Sequence, residues 1–195
     1  MYIEDNTFNE KVLLHSFPEE VVEDVIIVAS SLPQELYKTN SKFGADKSLC
    51  RYTLMNGEKI SFPYRIYGIE KLEVPSFFTF TQNLIFHAFL SRSDKGIIRE
   101  EHIRAILEED YPDWIFPYII KLSDEYVIEI LDVIYYYLSR QNCKNIQHFC
   151  KLNLQSFKRS YSRMVSYWNE YYRSCMFCNY VGKKLFVDCY GYHNS

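Results

Sequence analysis

Apolar residues recur along most of this chain with the spacing of α-helices. Residues 18–31 predict a first helix, because Pro18 suits a first-turn position and the carboxylates of Glu19 and Glu20 favour the positive end of the helix dipole. The polar residues 38–48 that follow predict a loop.

One segment has the pattern of a β-hairpin instead. The dipeptide Asn56-Gly57 lies between two β-prone runs, which is the strongest short-range hairpin signal. It predicts strands near 50–55 and 58–62. Pro63 should end the second strand or place it at an edge, since proline donates no hydrogen bond to a sheet.

From residue 79 onward the pattern is helical, with Thr79 or Thr81 as the first N-cap. Pro117 should start or kink a helix rather than occupy its middle. The helical segments are "TFTQNLIFHAFLS", "KGIIREEHIRAILEED", "DWIFPYIIKLS" and "EYVIEILDVIYYYLSR".

These four segments form a repeat. A shift of 30 residues aligns Ser93 with Ser123 and Asp94 with Asp124. Each copy predicts a helix, a Ser-Asp turn whose side chains cap the next helix, and a second helix. Residues 80–140 thus resemble a HEAT-type repeat, which implies stacked antiparallel hairpins.

The C-terminal region predicts a short helix in "CKNIQHFCKLN", a long helix over 154–175, and a strand or extended tail in "YVGKKLFVDCYGY". The long helix has one apolar face, which we expect to be core. That face comprises Phe157, Tyr161, Met164, Val165, Trp168, Tyr171 and Tyr172.

The predicted fold class is therefore mainly α, with stacked HEAT-like antiparallel hairpins and a small N-terminal β-hairpin. We expect a single domain over 1–195. It comprises an entry region (1–78), two hairpin repeats (79–141), and a long helix with a C-terminal tail (142–195).

Composition agrees with a folded helical protein, since 48% of residues are hydrophobic and only six are Gly and six Pro. The N-terminus lacks a basic-then-apolar signal, and no apolar run approaches the roughly 20 residues that span a bilayer. We expect a cytoplasmic protein without membrane contact, whose six cysteines stay reduced.

Charge is distributed unevenly along the chain. Residues 133–195 hold nine basic and two acidic side chains, whereas residues 1–132 hold 13 basic and 23 acidic ones. Such asymmetry can steer a charged partner, although differing solvated faces would also produce it.

Cys175, Cys178, Cys189 and His193 have a spacing that could ligate zinc. Cysteines at the end of a strong helix also pack simply as small apolar groups, and that is the reading we favour. We therefore predict no metal and no cofactor.

Neither catalysis nor nucleic-acid binding has a sharp signature. The histidines are scattered, and no nucleophile elbow, phosphate loop or H-E-x-x-H motif occurs. Lys151, Lys158, Arg159 and Arg163 alternate with aromatics that belong to the predicted core face, so a nucleic-acid surface is disfavoured. We predict that the protein is not an enzyme.

The strongest candidate surface is acidic. Carboxylates gather on or between the repeat helices and suit a basic protein partner. The predicted partner-binding residues are Glu100, Glu101, Glu108, Glu109, Asp110, Asp113, Asp124 and Glu125.

The segments "FPYRIYGIE", "SDEYVIEIL" and "VSYWNEYYR" resemble those of a group of bacterial helical proteins that has no settled activity. Proteins of this type resemble the immunity proteins of polymorphic toxins, including contact-dependent growth inhibition. The resemblance implies that the chain binds and neutralises a basic toxin domain. A helical scaffold for another protein remains the alternative, followed by a zinc- or nucleic-acid-binding module.

Overall fold

The computed structural model describes residues 10–33, 44–45 and 48–192, and this part of the chain is mainly helical. The helices are α1 (Glu10–Leu14), α2 (Val22–Ser31), α3 (Phe80–Leu90), α4 (Gly96–Leu107), α5 (Phe116–Leu122), α6 (Ile128–Leu138), α7 (Lys144–Leu152), α8 (Leu154–Tyr171) and α9 (Val181–Lys184). The strands are β1 (Gly44–Ala45), β2 (Leu49–Thr53), β3 (Lys59–Pro63) and β4 (Ile66–Tyr67). The prediction of a mainly α fold with a small β-hairpin is confirmed.

The hairpin is formed by β2 and β3, as the sequence predicts. Gly57 has a φ of +88°, and its N–H donates to Leu54 O at 2.9 Å, so the turn uses the backbone freedom of glycine. A second small sheet pairs β1 antiparallel with β4. This pairing was not predicted, because β1 lies within the expected loop 38–48, most of which is outside the described residues.

The chain groups into two compact units, which are described separately below. Unit 1 comprises Met1–Arg51 and Glu58–His102, and unit 2 comprises Tyr52–Gly57 and Ile103–Ser195. The proposed repeat falls in both units, with α3 in unit 1 and α5 and α6 in unit 2. The single domain and the HEAT-like relationship remain predictions.

In unit 1, α2 packs against α3, and a capping box fixes where α3 begins. Thr79 Oγ1 accepts from the Gln82 N–H at 3.3 Å, while Gln82 Oε1 accepts from the Thr79 N–H at 3.1 Å. These two bonds satisfy donors that the first helical turn leaves free. Gln82 Nε2 also donates to Asp24 Oδ1 at 2.8 Å, which ties the cap to α2.

Two buried arginines organise the turn between α3 and α4. Arg99 Nη1 donates to the carbonyls of Ser93 and Asp94, each at 2.9 Å. Arg92 lies over the ring of Phe62 and donates to the carbonyl of Tyr64. Arg99 therefore holds the turn through two of its carbonyl groups, and Arg92 joins the turn to the segment between β3 and β4.

In unit 2, α5 starts where the sequence predicts, because Pro117 occupies its first turn after a 3-10 helix over Asp113–Ile115. The next helix differs from expectation. Val127 is the N-cap of α6 and makes no side-chain capping bond. Asp124 therefore does not cap α6, and its carboxylate binds Lys121 and Ser160 instead.

The C-terminal segment is helical, so the prediction of a strand or extended tail is wrong. After a 3-10 turn over Phe177–Asn179, α9 continues into a π-helix over Leu185–Cys189. Its buried side chains are Leu185, Phe186, Cys189 and Tyr190. Spacing of one, four and five residues is that of a helix face, which the weak alternation of the sequence obscured.

The long helix α8 ends at Tyr171, before the predicted boundary at 175. Phe157 and Met164 are buried, as predicted for its apolar face. Tyr171, however, is 60% exposed, so the prediction that the whole face is core is wrong at this end.

Candidate functional site

Unit 2 contains a cleft of about 250 Å³, which we call the acidic cleft. One wall is the segment between α4 and α5, and the other is the segment between α6 and α7. Its lining residues are Glu109, Asp110, Tyr111, Asp113, Phe116, Leu138, Gln141, Asn142, Cys143, Asn145 and Ile146.

Local sequence rules shape the first wall. Pro112 adopts an extended conformation and precedes the 3-10 turn at Asp113, which keeps the acidic residues 108–110 out of both helices. Tyr111 packs edge-on against Phe116 with ring centroids 6.4 Å apart, and its hydroxyl donates to Gln141 Oε1 at 3.3 Å. Burial raises the pKa of Tyr111, so its hydroxyl stays a neutral donor that links the walls.

The second wall carries amides and a thiol. Asn142 Oδ1 accepts from the Lys144 N–H at 3.1 Å, and Cys143 is the N-cap of α7. A hydrogen bond from Cys189 lowers the pKa of Cys143 to about 7, and the same bond, with burial, raises the pKa of Cys189. The thiol of Cys143 is half-buried and Cys189 is buried, so Cys143 is the one that ionises.

Four of the predicted partner-binding residues lie at or beside this cleft. Glu109, Asp110 and Asp113 line it, and Glu108 is exposed next to them. Glu108 Oε1 accepts from the Tyr137 hydroxyl at 2.9 Å, which fixes its carboxylate against α6.

Two of the predicted residues belong to unit 1. Glu101 is exposed and pairs with Lys71 at 3.0 Å between Oε1 and Nζ. Glu100 is half-buried. Both stay predictions as partner-binding residues.

Asp124 and Glu125 do not lie on an accessible surface, which corrects the sequence prediction. Their exposed fractions are 1% and 0%. Asp124 accepts from Lys121 Nζ at 2.6 and 2.9 Å and from Ser160 Oγ at 2.9 Å. The carboxylate is thus a structural group at the turn between α5 and α6. The sequence signal was Lys121, a single cation within the apolar run "YIIKLS".

The cysteine spacing does not produce a metal cluster in the described part of the chain. Cys189 is hydrogen-bonded to Cys143, and Cys178 is exposed with Sγ 3.8 Å from Asn179 Oδ1. His193 lies outside the described residues. Among residues 10–33, 44–45 and 48–192, no three His, Cys, Asp or Glu side chains are grouped to hold a metal ion.

The basic stretch of α8 has exposed cations without exposed stacking rings between them. Lys158 and Arg159 are exposed, but Phe157 is buried and stacks on Phe186 with centroids 5.2 Å apart. Base stacking needs an accessible ring face, so this arrangement disfavours nucleic acid here.

Sequence reasoning missed the amides of the cleft and one structural asparagine. Gln141, Asn142 and Asn145 form a polar run after α6, which is a signal of a loop but not of a site. Asn153 forms two hydrogen bonds with the backbone of Thr53. Its Oδ1 accepts from the Thr53 N–H and its Nδ2 donates to the Thr53 carbonyl, both at 2.8 Å.

Comparison with known proteins gives no relative, because no protein-family model, curated protein or solved structure matches the chain. Within the described residues, every helix is too short or too polar to cross a bilayer.

Proposed function

We propose that the protein binds a basic protein partner through the acidic cleft. One observation carries this proposal. Glu109, Asp110 and Asp113 line a single concave surface, and none of the described residues lining it is basic. A cleft of one charge sign concentrates its field and attracts the opposite charge.

The walls of the cleft add hydrogen-bonding groups to that charge. The amides of Gln141, Asn142 and Asn145 offer donors and acceptors to an incoming backbone or side chain. Tyr111 and Phe116 supply aromatic surface, which is typical of binding hot spots. A cleft of this composition fits Lys and Arg side chains of a partner.

The resemblance to immunity proteins suggests which partner. An immunity protein acts by covering its toxin, so it needs a complementary surface and no catalysis or cofactor. A basic toxin domain made by the same bacterium and neutralised in its cytoplasm is therefore the proposed target. Charge complementarity would also speed the encounter of the two proteins.

The test is a binding and protection experiment with the toxin domain encoded beside this chain. We expect a 1:1 complex whose affinity falls with added salt, because exposed charges are screened. The variant Glu109→Lys/Asp110→Lys/Asp113→Lys should weaken binding about 100-fold or more and abolish protection of cells that express the toxin.

A matched variant separates the cleft from overall charge. Glu20→Lys/Glu23→Lys/Glu73→Lys makes the same change in net charge at exposed positions of unit 1. If it weakens binding as much as the cleft variant does, the cleft is not the binding site. Tight binding to a harmless protein, with none to the toxin, would favour the scaffold alternative.

A further inference from the structure

A second surface of unit 2 exposes tyrosines beside carboxylates, and we call it the tyrosine surface. It comprises Tyr126, Tyr171, Tyr172, Glu129 and Asp132. Tyr126 is 47% exposed and Tyr171 is 60% exposed, with their ring centroids 6.0 Å apart. Large aromatic side chains with this exposure are typical of interaction sites.

Contacts with neighbouring residues hold the side chains of the tyrosine surface in place. The Tyr172 hydroxyl donates to the Tyr126 carbonyl at 2.5 Å. Its ring stacks on the buried ring of Tyr180, with centroids 5.4 Å apart and planes 24° apart. Tyr167 contacts the rings of both Tyr126 and Tyr171. The exposed rings therefore have fixed orientations, which lowers the entropy lost on binding.

Two exposed carboxylates lie near Tyr172 of this surface. Glu129 and Asp132 occupy neighbouring turns of α6. Among the residues that the structure describes, no basic side chain forms an ion pair with either carboxylate. Burial is the main cause of the raised pKa of Tyr172, and the charges of Glu129 and Asp132 add to it. Both carboxylates are thus close enough to act on this tyrosine. The basic residue next to it, Arg173, donates its Nε–H to Asn169 Oδ1 at 2.7 Å.

Two other tyrosines of unit 2 differ from those of the tyrosine surface, because each has a cation of this chain close to its ring. The guanidinium carbon of Arg140 lies 3.9 Å from the ring centroid of Tyr136, and Lys183 Nζ lies 5.3 Å from that of Tyr161. Those two rings already have a cation of this chain over them. Among the described residues, no cation lies over Tyr126 or Tyr171.

We infer that the tyrosine surface binds arginine side chains from an extended basic segment of a protein partner. The guanidinium group stacks on the exposed ring faces, and the carboxylates of Glu129 and Asp132 accept its hydrogen bonds. Arginine fits better than lysine because its planar group stacks and forms paired bonds. The carboxylates repel phosphate, so nucleic acid is not the occupant.

This inference does not depend on the acidic cleft. The probe is a fluorescein-labelled peptide with four arginines separated by glycines, compared with the same peptide carrying lysines. Both are titrated with the full chain at low ionic strength, and fluorescence anisotropy gives the affinities. We expect the arginine peptide to bind about 5-fold more tightly, the difference that one or two exposed cation–π contacts give.

Matched variants assign the preference to the rings. Tyr126→Leu/Tyr171→Leu should lower the affinity for the arginine peptide to that for the lysine peptide. Tyr126→Phe/Tyr171→Phe keeps the ring faces and should keep the preference. Glu129→Gln/Asp132→Gln should weaken both peptides about 3- to 10-fold, because two exposed ion pairs are lost.

Three results would overturn the inference. They are equal affinity for the two peptides, a phenylalanine variant that loses as much as the leucine variant, and a larger loss from Glu109→Gln/Asp110→Gln in the acidic cleft than from Glu129→Gln/Asp132→Gln. Far-ultraviolet circular dichroism verifies that each variant is folded.

Discussion

Each unit contains a close pair of titratable side chains with at least one member buried, and the two pairs avoid an uncompensated charge in different ways. In unit 2, Lys121 and Asp124 are buried as an ion pair. In unit 1, His87 and His102 meet Nδ1 to Nδ1 at 2.7 Å. One of these nitrogens must accept from the other, so at least one ring is neutral.

Removing a charged side chain from water costs free energy, and the two pairs limit that cost in different ways. Burial raises the pKa of Asp124, and the ammonium of Lys121 offsets part of that shift. Burial lowers the pKa of both histidines, that of His102 to about 4, and the proximity of His87 contributes. The first pair therefore depends on both partners being present, and the second depends on pH.

Removing one member of the ion pair should have the largest effect. Asp124→Ala leaves the Lys121 ammonium buried without its carboxylate, which we expect to cost about 3–5 kcal/mol of unfolding free energy. Urea denaturation followed by circular dichroism measures the loss.

Two further variants test whether the loss of stability comes from the buried charge. Asp110→Ala, at an exposed acid of the same unit, should change the unfolding free energy by less than about 0.5 kcal/mol. Lys121→Met/Asp124→Leu replaces both charges with apolar groups and should be much less destabilising than Asp124→Ala. Similar losses in all three would mean that the ion pair has no special structural role.

Acid should destabilise the protein through the histidine pair. Below about pH 6.5 the unfolded chain binds protons that buried His102 binds only near pH 4, so stability falls as pH falls through this window. The expected loss approaches about 3 kcal/mol, because the pKa of His102 is about 4 in the folded protein and about 6.5 in the unfolded chain. Urea denaturation at several pH values between 7 and 4 measures it.

The charged neighbours of the pair are Glu101 and Lys71, which form their own ion pair at 3.0 Å between Oε1 and Nζ. His102→Asn removes the titrating ring and should flatten the pH dependence. His148→Asn changes an exposed histidine and should leave it as in the natural chain. An equally steep dependence in His102→Asn would rule out the pair as its cause.

The thiol pair of Cys143, in the wall of the acidic cleft, and buried Cys189 should affect stability least. Since its pKa is about 7, Cys143 is about half thiolate at neutral pH. Alkylation by iodoacetamide, quantified by peptide mass spectrometry, should be half-maximal near pH 7. Cys189→Ala removes the hydrogen bond and should move the midpoint toward about 8.5, the usual value for a thiol.

Cys150 provides the internal control for this measurement. It is buried, and burial raises its pKa, so it should not react in the folded protein. A Cys143 midpoint that does not move in Cys189→Ala would show that the thiol pair is not responsible for the low value.

Sequence reasoning succeeded where interactions are local. The Asn56-Gly57 turn, the Thr79 cap and the helix start at Pro117 each depend on a few neighbouring residues. Rules for turns and caps describe such interactions directly.

It failed where the environment comes from distant segments. The repeat aligns Asp94 with Asp124, yet Asp94 is exposed and Asp124 is buried beside Ser160 of α8. Likewise, the C-terminal segment is helical because α9 packs on α6, which no local pattern encodes. The acidic cleft was foreseen only in its carboxylates, since its amides come from another loop.

The two hydrogen bonds between Asn153 and Thr53 join residues that are 100 positions apart in the sequence. Ribosomes add roughly 5–20 residues per second, so Thr53 leaves the ribosome roughly 5–20 seconds before Asn153 is available to pair with it. During that interval the tip of the hairpin lacks two of its backbone hydrogen bonds. Backbone groups that lack partners at the end of a strand can pair with other chains, so we expect this end of β2 to be open to aggregation during synthesis, before Asn153 exists.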